Sequence, residues 1–227
     1  EIYSLSFEKG YYERPLLGAK NIPVRGGNRD YTVTVQNTDV LSIDIDLSSP
    51  IDMGNLVVKP KQKGETTITV KDNVTNETVD LKIKIVDSYL NLKVAHPAQV
   101  PYTGGENLFF INNSDRDFYL FDEKMEKKEC TGNYQFLIKN STCYMILNFD
   151  KELNDKRTYE YNISNTSERM FTLIEILLGI DWNMKADLIN RSTRSASPVT
   201  MNAVDTETNI IQYFVAGSND IPENILD

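Results

Sequence analysis

The sequence predicts an all-β protein built as two antiparallel bodies, a β-sandwich followed by a second sandwich or barrel. The clearest evidence is the stretch Gly64–Asp72 with its companion Leu81–Val86, in which apolar and polar side chains alternate. That period of two is the spacing of a strand with one buried face. Runs of the same kind recur along the chain between clusters of turn-forming residues, the pattern of stacked antiparallel sheets. Finally, a chain of 227 residues with 40% hydrophobic and 25% charged side chains is long enough, and apolar enough, to bury the cores of two ordinary β domains.

Taken in order, the first half predicts strands at Ile2–Phe7, Tyr31–Val35, Val40–Leu47, Asn55–Val58, Thr66–Lys71 and Thr78–Val86. Gly26-Gly27-Asn28, Gln36–Asp39, Ser48-Ser49-Pro50 and Lys63-Gly64 supply the turns. The polar run Asn73–Glu77 joins the last two strands as a hairpin. Tyr31, Val33 and Val35 share a face, as do Val79, Leu81, Ile83 and Ile85, whereas Asp44 and Asp46 alternate with Ile43, Ile45 and Leu47 and mark a solvent face. Tyr11-Tyr12 reads either as an exposed adhesive pair or as a cover over one end of the sandwich.

The segment of about residues 20–87 resembles a bacterial Ig-like domain of the second group. The resemblance is carried by Gly-Glu-Thr-Thr-Ile-Thr-Val at 64–70, the preceding Leu56–Pro60 and the closing Leu81–Val86. It implies an Ig-like β-sandwich over residues 1–87, of a kind that acts as stalk, spacer or adhesive unit in secreted and surface proteins. It brings no catalytic residue.

Residues 88–105 hold His96-Pro97, Pro101 and Gly104-Gly105 and read as a linker, which makes residues 106–227 the second domain. There the β pattern resumes at Asn107–Ile111, Asp117–Phe121, Tyr134–Lys139, Thr142–Phe149, Thr158–Ile163, Val199–Val204 and Asn209–Ala216. A tight turn at Asn140-Ser141 sets Cys143 opposite Ile138. Tyr134, Phe136 and Ile138 then share a core face with Cys143, Met145 and Leu147, and Leu137, Tyr144 and Ile146 lie on the other face. In that register Cys130 lies eight residues beyond Ile138, about 26 Å along an extended strand, too far for a bridge to Cys143. Both thiols are expected to be unpaired. Met170–Ile180 fits a helix through Met170, Leu173, Ile174, Leu177 and Leu178, with Gly179 as its stop. It also fits a strand through Met170, Ile174, Ile176, Leu178 and Ile180, and its strand neighbours favour the buried strand. Residues Arg191–Pro198 read as a loop.

Charge excludes several partners. The net charge is −9, of which −2 falls in residues 1–87 and −7 in residues 88–227. An acidic second domain repels phosphate backbones, so no nucleic-acid partner is expected. No apolar run approaches the ~20 residues of a membrane span. The chain opens at Glu1 without methionine, as a processed or trimmed chain does, so the missing signal peptide says nothing about a precursor. The Ig-like resemblance implies a secreted or surface-anchored bacterial protein, such as a lipoprotein. Seven Asn-X-Ser/Thr triplets then mean no more than an Asn/Thr-rich surface.

Catalytic signals are sparse. A single histidine, His96, rules out a multi-histidine metal site and leaves one residue for any nucleophile pair. Neither a Walker-type loop nor a Gly-X-Ser-X-Gly elbow is present. Asn113, Asp115 and Asp117 alternate as calcium ligands do but lack the glycine and terminal glutamate of an EF-hand loop. Arg191 and Arg194 could hold an anion, although a solvated loop is the simpler reading. We therefore expect no catalytic residue, no metal and no cofactor. The candidate ligand residues are Trp182 and Asp181, an aromatic face beside a carboxylate, together with Tyr144. The expected function is display of a binding or adhesion domain, with a glycan or another surface protein as partner. Two rivals are a lipocalin-like small-ligand or carbohydrate barrel lined by Leu137, Tyr144 and Ile146, and a glycan hydrolase using carboxylates such as Asp181.

Overall fold

A computed structural model of the chain describes residues 1–18, 20–182 and 199–227. The chain divides into two compact units, one formed by Glu1–Ser88 with Pro222–Asp227 and the other by Tyr89–Ile221.

The first unit is a β-sandwich of seven strands: β1 (Tyr11–Pro15), β2 (Ile22–Pro23), β3 (Tyr31–Val35), β4 (Leu41–Asp46), β5 (Asn55–Pro60), β6 (Gly64–Asp72) and β7 (Thr78–Val86). One sheet has the order β1-β7-β6-β3 and the other β2-β5-β4. The alternation in Gly64–Val86 becomes an antiparallel ladder from Gly64↔Ile85 to Lys71↔Thr78. Its inward side chains Ile68, Val70, Leu81, Ile83 and Ile85 pack in one core with Ile22, Leu41, Leu56 and Val58. Asp72 ends β6 fully buried, and its carboxylate accepts hydrogen bonds from the amides of Val74 and Asn28 (each 2.9 Å) and from Asn28 Nδ2 (2.8 Å). Burial alone would raise its pKa. The bonds from Val74 and Asn28 outweigh that and hold the carboxyl below its ordinary value.

The opening of this unit departs from expectation. Ile2–Phe7 forms no strand and contributes one bridge, Ser6↔Gly26, whereas Tyr11–Pro15 pairs in parallel with β7. The edge strand lacks a clean alternation because its burial follows neighbours on one side only. Tyr12 is in the core, 3% exposed, and its hydroxyl accepts the Lys9 amide at 3.0 Å. Residues 222–227 add to the same unit: Lys84 Nζ donates to the Leu226 carbonyl, and the Asp87 amide donates to that of Asp227.

The second unit is an eight-stranded closed barrel. Its strands are β8 (Tyr89–Val94), β9 (Asn107–Ile111), β10 (Asp117–Phe121), β11 (Lys128–Lys139), β12 (Thr142–Leu153), β13 (Lys156–Asn162), β14 (Thr200–Asp205) and β15 (Ile211–Ala216). Each pairs antiparallel with the next, and β15 returns to β8. The residues expected to be a linker, 88–105, thus contain a barrel strand. Its run Tyr-Leu-Asn-Leu-Lys-Val is nearly all buried, so the polar half of the alternation that would have flagged it is missing. The prolines and glycines after it belong to the loop between β8 and β9.

The central hairpin folds in the expected register, with Ile138 opposite Cys143 and Lys139 opposite Thr142. β11 stays extended through Cys130, and both cysteines are free. Inside the barrel, Tyr134, Phe136, Met145, Leu147, Phe149, Tyr159, Tyr161 and Phe214 make one close-packed core. Eight strands enclose a space that side chains can fill, and here they do. The outer face presents Thr131, Asn133, Gln135, Asn148, Asp150 and Glu160, the polarity of a water-facing barrel and the reverse of one embedded in lipid. Leu137, Tyr144 and Ile146 sit half-buried on that outer face.

Met170–Leu178 is helical, which corrects the strand expected over Met170–Ile180. Helix α1 spans Glu168–Leu178. Ser167 caps it through a bond from the Met170 amide to its hydroxyl (3.3 Å), and Gly179 ends it in the left-handed region at φ 64°. Met170, Phe171, Ile174 and Leu178 are buried on one face, while Ile176, which the strand reading would bury, is 56% exposed. Local capping and the 3.6-residue period decided the segment over its neighbours.

Candidate functional site

The two ends of the barrel are closed differently, and that difference locates the candidate site. At one end α1 and Trp182 sit over the open rims of the strands. Trp182 is 4% exposed, its indole N–H donates to the Phe171 carbonyl at 3.1 Å, and its ring meets Phe136 and Phe171 edge-on at 5.7 and 5.2 Å. Arg116 reaches from the β9–β10 turn to the Leu178 carbonyl at the helix C-terminus. Trp182 is therefore a plug in the core, with no open ring face for a sugar to stack on. Asp181 beside it is exposed, and Tyr144 lies half-buried on the outer wall. The Trp182 ring faces the core while Tyr144 faces outward, so these two rings do not share a surface.

The other end is built from the loops 95–106, 122–127, 154–155 and 206–210. Loop 95–106 folds inward. Tyr102 is buried against Phe214 (5.6 Å, edge-on), and its hydroxyl lies 3.4 Å from that of Tyr161. Glu106 holds the returning chain: its carboxylate accepts from the Thr103 amide (2.9 Å), the Thr103 hydroxyl (3.1 Å) and the Gly104 amide. Gly104 and Gly105 have φ of 110° and 81°, which other residues rarely adopt, and a Cβ on Gly105 would lie 2.7 Å from the Glu123 carboxyl. Asp122 folds its own loop by accepting from the amides of Glu126 (2.8 Å) and Lys127 (2.9 Å).

Between these loops lies a groove of about 460 Å³ whose charged lining is Glu106, Asp122, Glu123 and Glu129 against Lys124 and Lys151. Its volume falls in the range of small-molecule and peptide-side-chain sites. Cys130 forms part of the floor. Burial, followed by the nearby Asp150 charge, pushes its thiol up to about 11, so it is protonated at neutral pH and a poor nucleophile. A second, smaller cavity of about 100 Å³ opens beside Lys156, Tyr159, Tyr161, Asp205 and Gln212, with Val100 and Ile210 exposed at its rim. That space holds a few water molecules at ~30 Å³ each, not a lipocalin-sized ligand. Neither cavity is lined by Leu137, Tyr144, Ile146, Asp181 or Trp182.

The remaining sequence candidates are in structural roles. Asn113 and Asp117 bond one another across their turn, Nδ2 to Oδ2 at 2.8 Å and the Asp117 amide to Asn113 Oδ1 at 3.0 Å. His96 belongs to the β8–β9 loop, with its ring against Gly104. Arg191 and Arg194 lie outside the described residues. Among the described residues, no cluster of His, Cys, Asp or Glu could hold a metal ion, and no helix is long and apolar enough to cross a membrane. The loop-end groove escaped the sequence reading because its residues are separated in the chain by up to 52 positions and carry no motif. The density of Pro and Gly in 97–105 was the available signal, and it read equally well as a linker.

No family model matches the chain, and no curated protein matches it. Two solved structures of the surface-layer protein SbsC are similar. One, covering its domains 4–9, aligns with 95% of this chain and 31% of its own length at 11% identity and a TM-score of 0.32. The other, spanning residues 31–844, aligns with 70% of this chain and 24% of its own at 11% identity and a TM-score of 0.33. The chain thus spans about a third or less of these neighbours.

Proposed function

We propose that this chain is a display segment of a secreted or surface-anchored bacterial protein, in which a bacterial Ig-like module of the second group carries a β-barrel whose loop end is the binding face. The carrying observation is the 460 Å³ groove, bounded by loops that Glu106 and Asp122 fix from within, at one end of a barrel whose interior is filled. A rigid scaffold with variable loops at one end is a common way to present a binding surface. The module assignment is supported by the strand order of the sandwich together with Gly64–Val70 in its β6 strand. The non-enzymatic reading is supported by the chemistry of the groove. Glu106 and Asp122 are committed to backbone amides, and the Cys130 thiol is protonated.

The test is binding by the whole chain to an array of bacterial cell-wall glycans and to purified surface proteins. Binding that Glu129→Lys abolishes, and that Gln135→Lys on the outer wall leaves intact, supports the loop end as the binding face. Binding unaffected by Glu129→Lys removes the groove from the proposal. Turnover of any arrayed glycan ends the non-enzymatic reading.

A further inference from the structure

A closed barrel is as strong as its weakest seam, and the seams here are unequal. β11 and β12 pair without interruption from Gly132↔Phe149 to Lys139↔Thr142. β13 and β14, by contrast, are in register only at Tyr161↔Asp205 and Asn162↔Val204. Among the described residues, the rest of that seam is held by isolated backbone bonds and by side chains rather than by a continuous ladder. Toward the helix end, Thr166 Oγ1 accepts the Asn202 amide (3.2 Å), and the Thr200 carbonyl accepts from both the Ser167 amide (3.3 Å) and the Ser167 hydroxyl (3.1 Å). Toward the loop end, the Thr206 amide still reaches the Glu160 carbonyl (3.1 Å). Beyond that point the ladder has ended. Lys156 crosses the gap instead, with Nζ 2.9 Å from Glu207 and 3.7 Å from Asp205 and 4.3 Å above the Tyr159 ring centroid. The 100 Å³ cavity lies at this gap and reaches the inward-facing Tyr159 and Tyr161.

We propose that the barrel opens locally at the β13–β14 seam, with Lys156 as the latch that keeps it shut at the loop end. Backbone ladders add a bond for each residue fixed and separate only with the whole strand. Side-chain closures release by single rotamer changes, at a smaller free-energy cost than global unfolding. Four features favour this seam: the short register, the interstrand insertion of α1 between β13 and β14 in the chain, the side-chain bonds and the cavity already at the gap. Opening turns the stacked pair Tyr159 and Tyr161 (centroids 6.3 Å apart, planes 15° apart) toward solvent beside the loop-end surface. The Lys156 ammonium also sits over the Tyr159 ring, so the latch and the cover are one side chain.

Hydrogen exchange on the whole chain, read residue by residue at low denaturant, tests the proposal. The Thr206 and Asn202 amides should exchange through an opening with weaker denaturant dependence than those of Tyr134–Ile138 and Met145–Leu147. In Lys156→Met the Thr206 amide should exchange about fivefold faster, the equivalent of about 1 kcal/mol for a partly buried ion pair. The β11–β12 amides should be unchanged, and Lys156→Arg should restore protection. If the wild-type seam amides exchange with the same denaturant dependence as β11–β12, the seam does not open on its own and the proposal fails. It also fails if Lys156→Met leaves the Thr206 amide unchanged or accelerates all barrel amides equally. The wild-type comparison decides the matter even where a variant folds poorly.

Discussion

The helix end and the loop end of the barrel face the same physical problem, how to close a ring of strands, and solve it with different materials. At the helix end α1 and Trp182 bury apolar area: Met170, Phe171, Ile174 and Leu178 are each no more than 1% exposed. At the loop end Tyr102 is the one large plug, and the rest is backbone folded over carboxylates, Glu106 within 95–106 and Asp122 within 122–127. Apolar closure is strong and featureless. Polar closure is weaker residue for residue and leaves charged, concave surface exposed. The stability of this barrel and its capacity to bind are therefore expected to reside at opposite ends.

The sharpest way to break this comparison is Trp182→Ala. Deleting a buried indole that touches Phe136 and Phe171 should cost about 3–5 kcal/mol, read as a lower midpoint in urea denaturation followed by near-ultraviolet circular dichroism. A loss below ~1 kcal/mol would mean that the helix end is not the stabilising one. Ser167→Ala removes the acceptor for the Met170 amide and should cost about 1 kcal/mol in the same measurement. At the loop end, Tyr102→Phe keeps the ring against Phe214 and deletes only the long hydroxyl contact to Tyr161. It should change stability by less than about 1 kcal/mol. Glu129→Lys, on the rim of the groove, should fall within about 0.5 kcal/mol, which keeps it usable as a binding variant.

The groove floor adds a pH-dependent test. The Cys130 thiol, pushed up to about 11 by burial, should react with iodoacetamide far more slowly than free cysteine at pH 8.5 and become reactive as pH approaches 11. Because its native pKa is raised, its contribution to stability is intact below the unfolded thiol value of about 8.5. That contribution is lost as pH rises through the native one. Rapid native-state alkylation at pH 8.5 would show that the floor is open to solvent. In the sandwich the sign is opposite. Asp72, held below its ordinary value, stabilises the fold above a pH of about 4 and should release that stability as pH falls further. Asp72→Asn should flatten that acid limb.

How much of this was legible follows from where each signal resides. The hairpins Gly64–Val86 and Tyr134–Phe149 were readable because alternation, turn chemistry and register all lie within one contiguous stretch. β8 was missed because a strand buried on both faces shows no alternation. The helix at 168–178 carried its own evidence in Ser167, Gly179 and the spacing of Met170, Ile174 and Leu178, and the strands around it misled the reading. Trp182 beside Asp181 looked like a sugar platform because sequence gives adjacency without direction, and the indole points into the barrel.

By itself, the sequence determined the class: strands with one apolar face, joined by turns that only certain residues make, in a chain long enough for two cores. What only the tertiary structure decided is closure, namely that the second sheet curls into a ring, which end is plugged with hydrocarbon, and which loops meet as a groove. Alternation specifies which face of a strand is buried. It cannot specify how many neighbours complete the circuit, because that depends on pairings such as Phe214↔Val94, which join residues 120 positions apart.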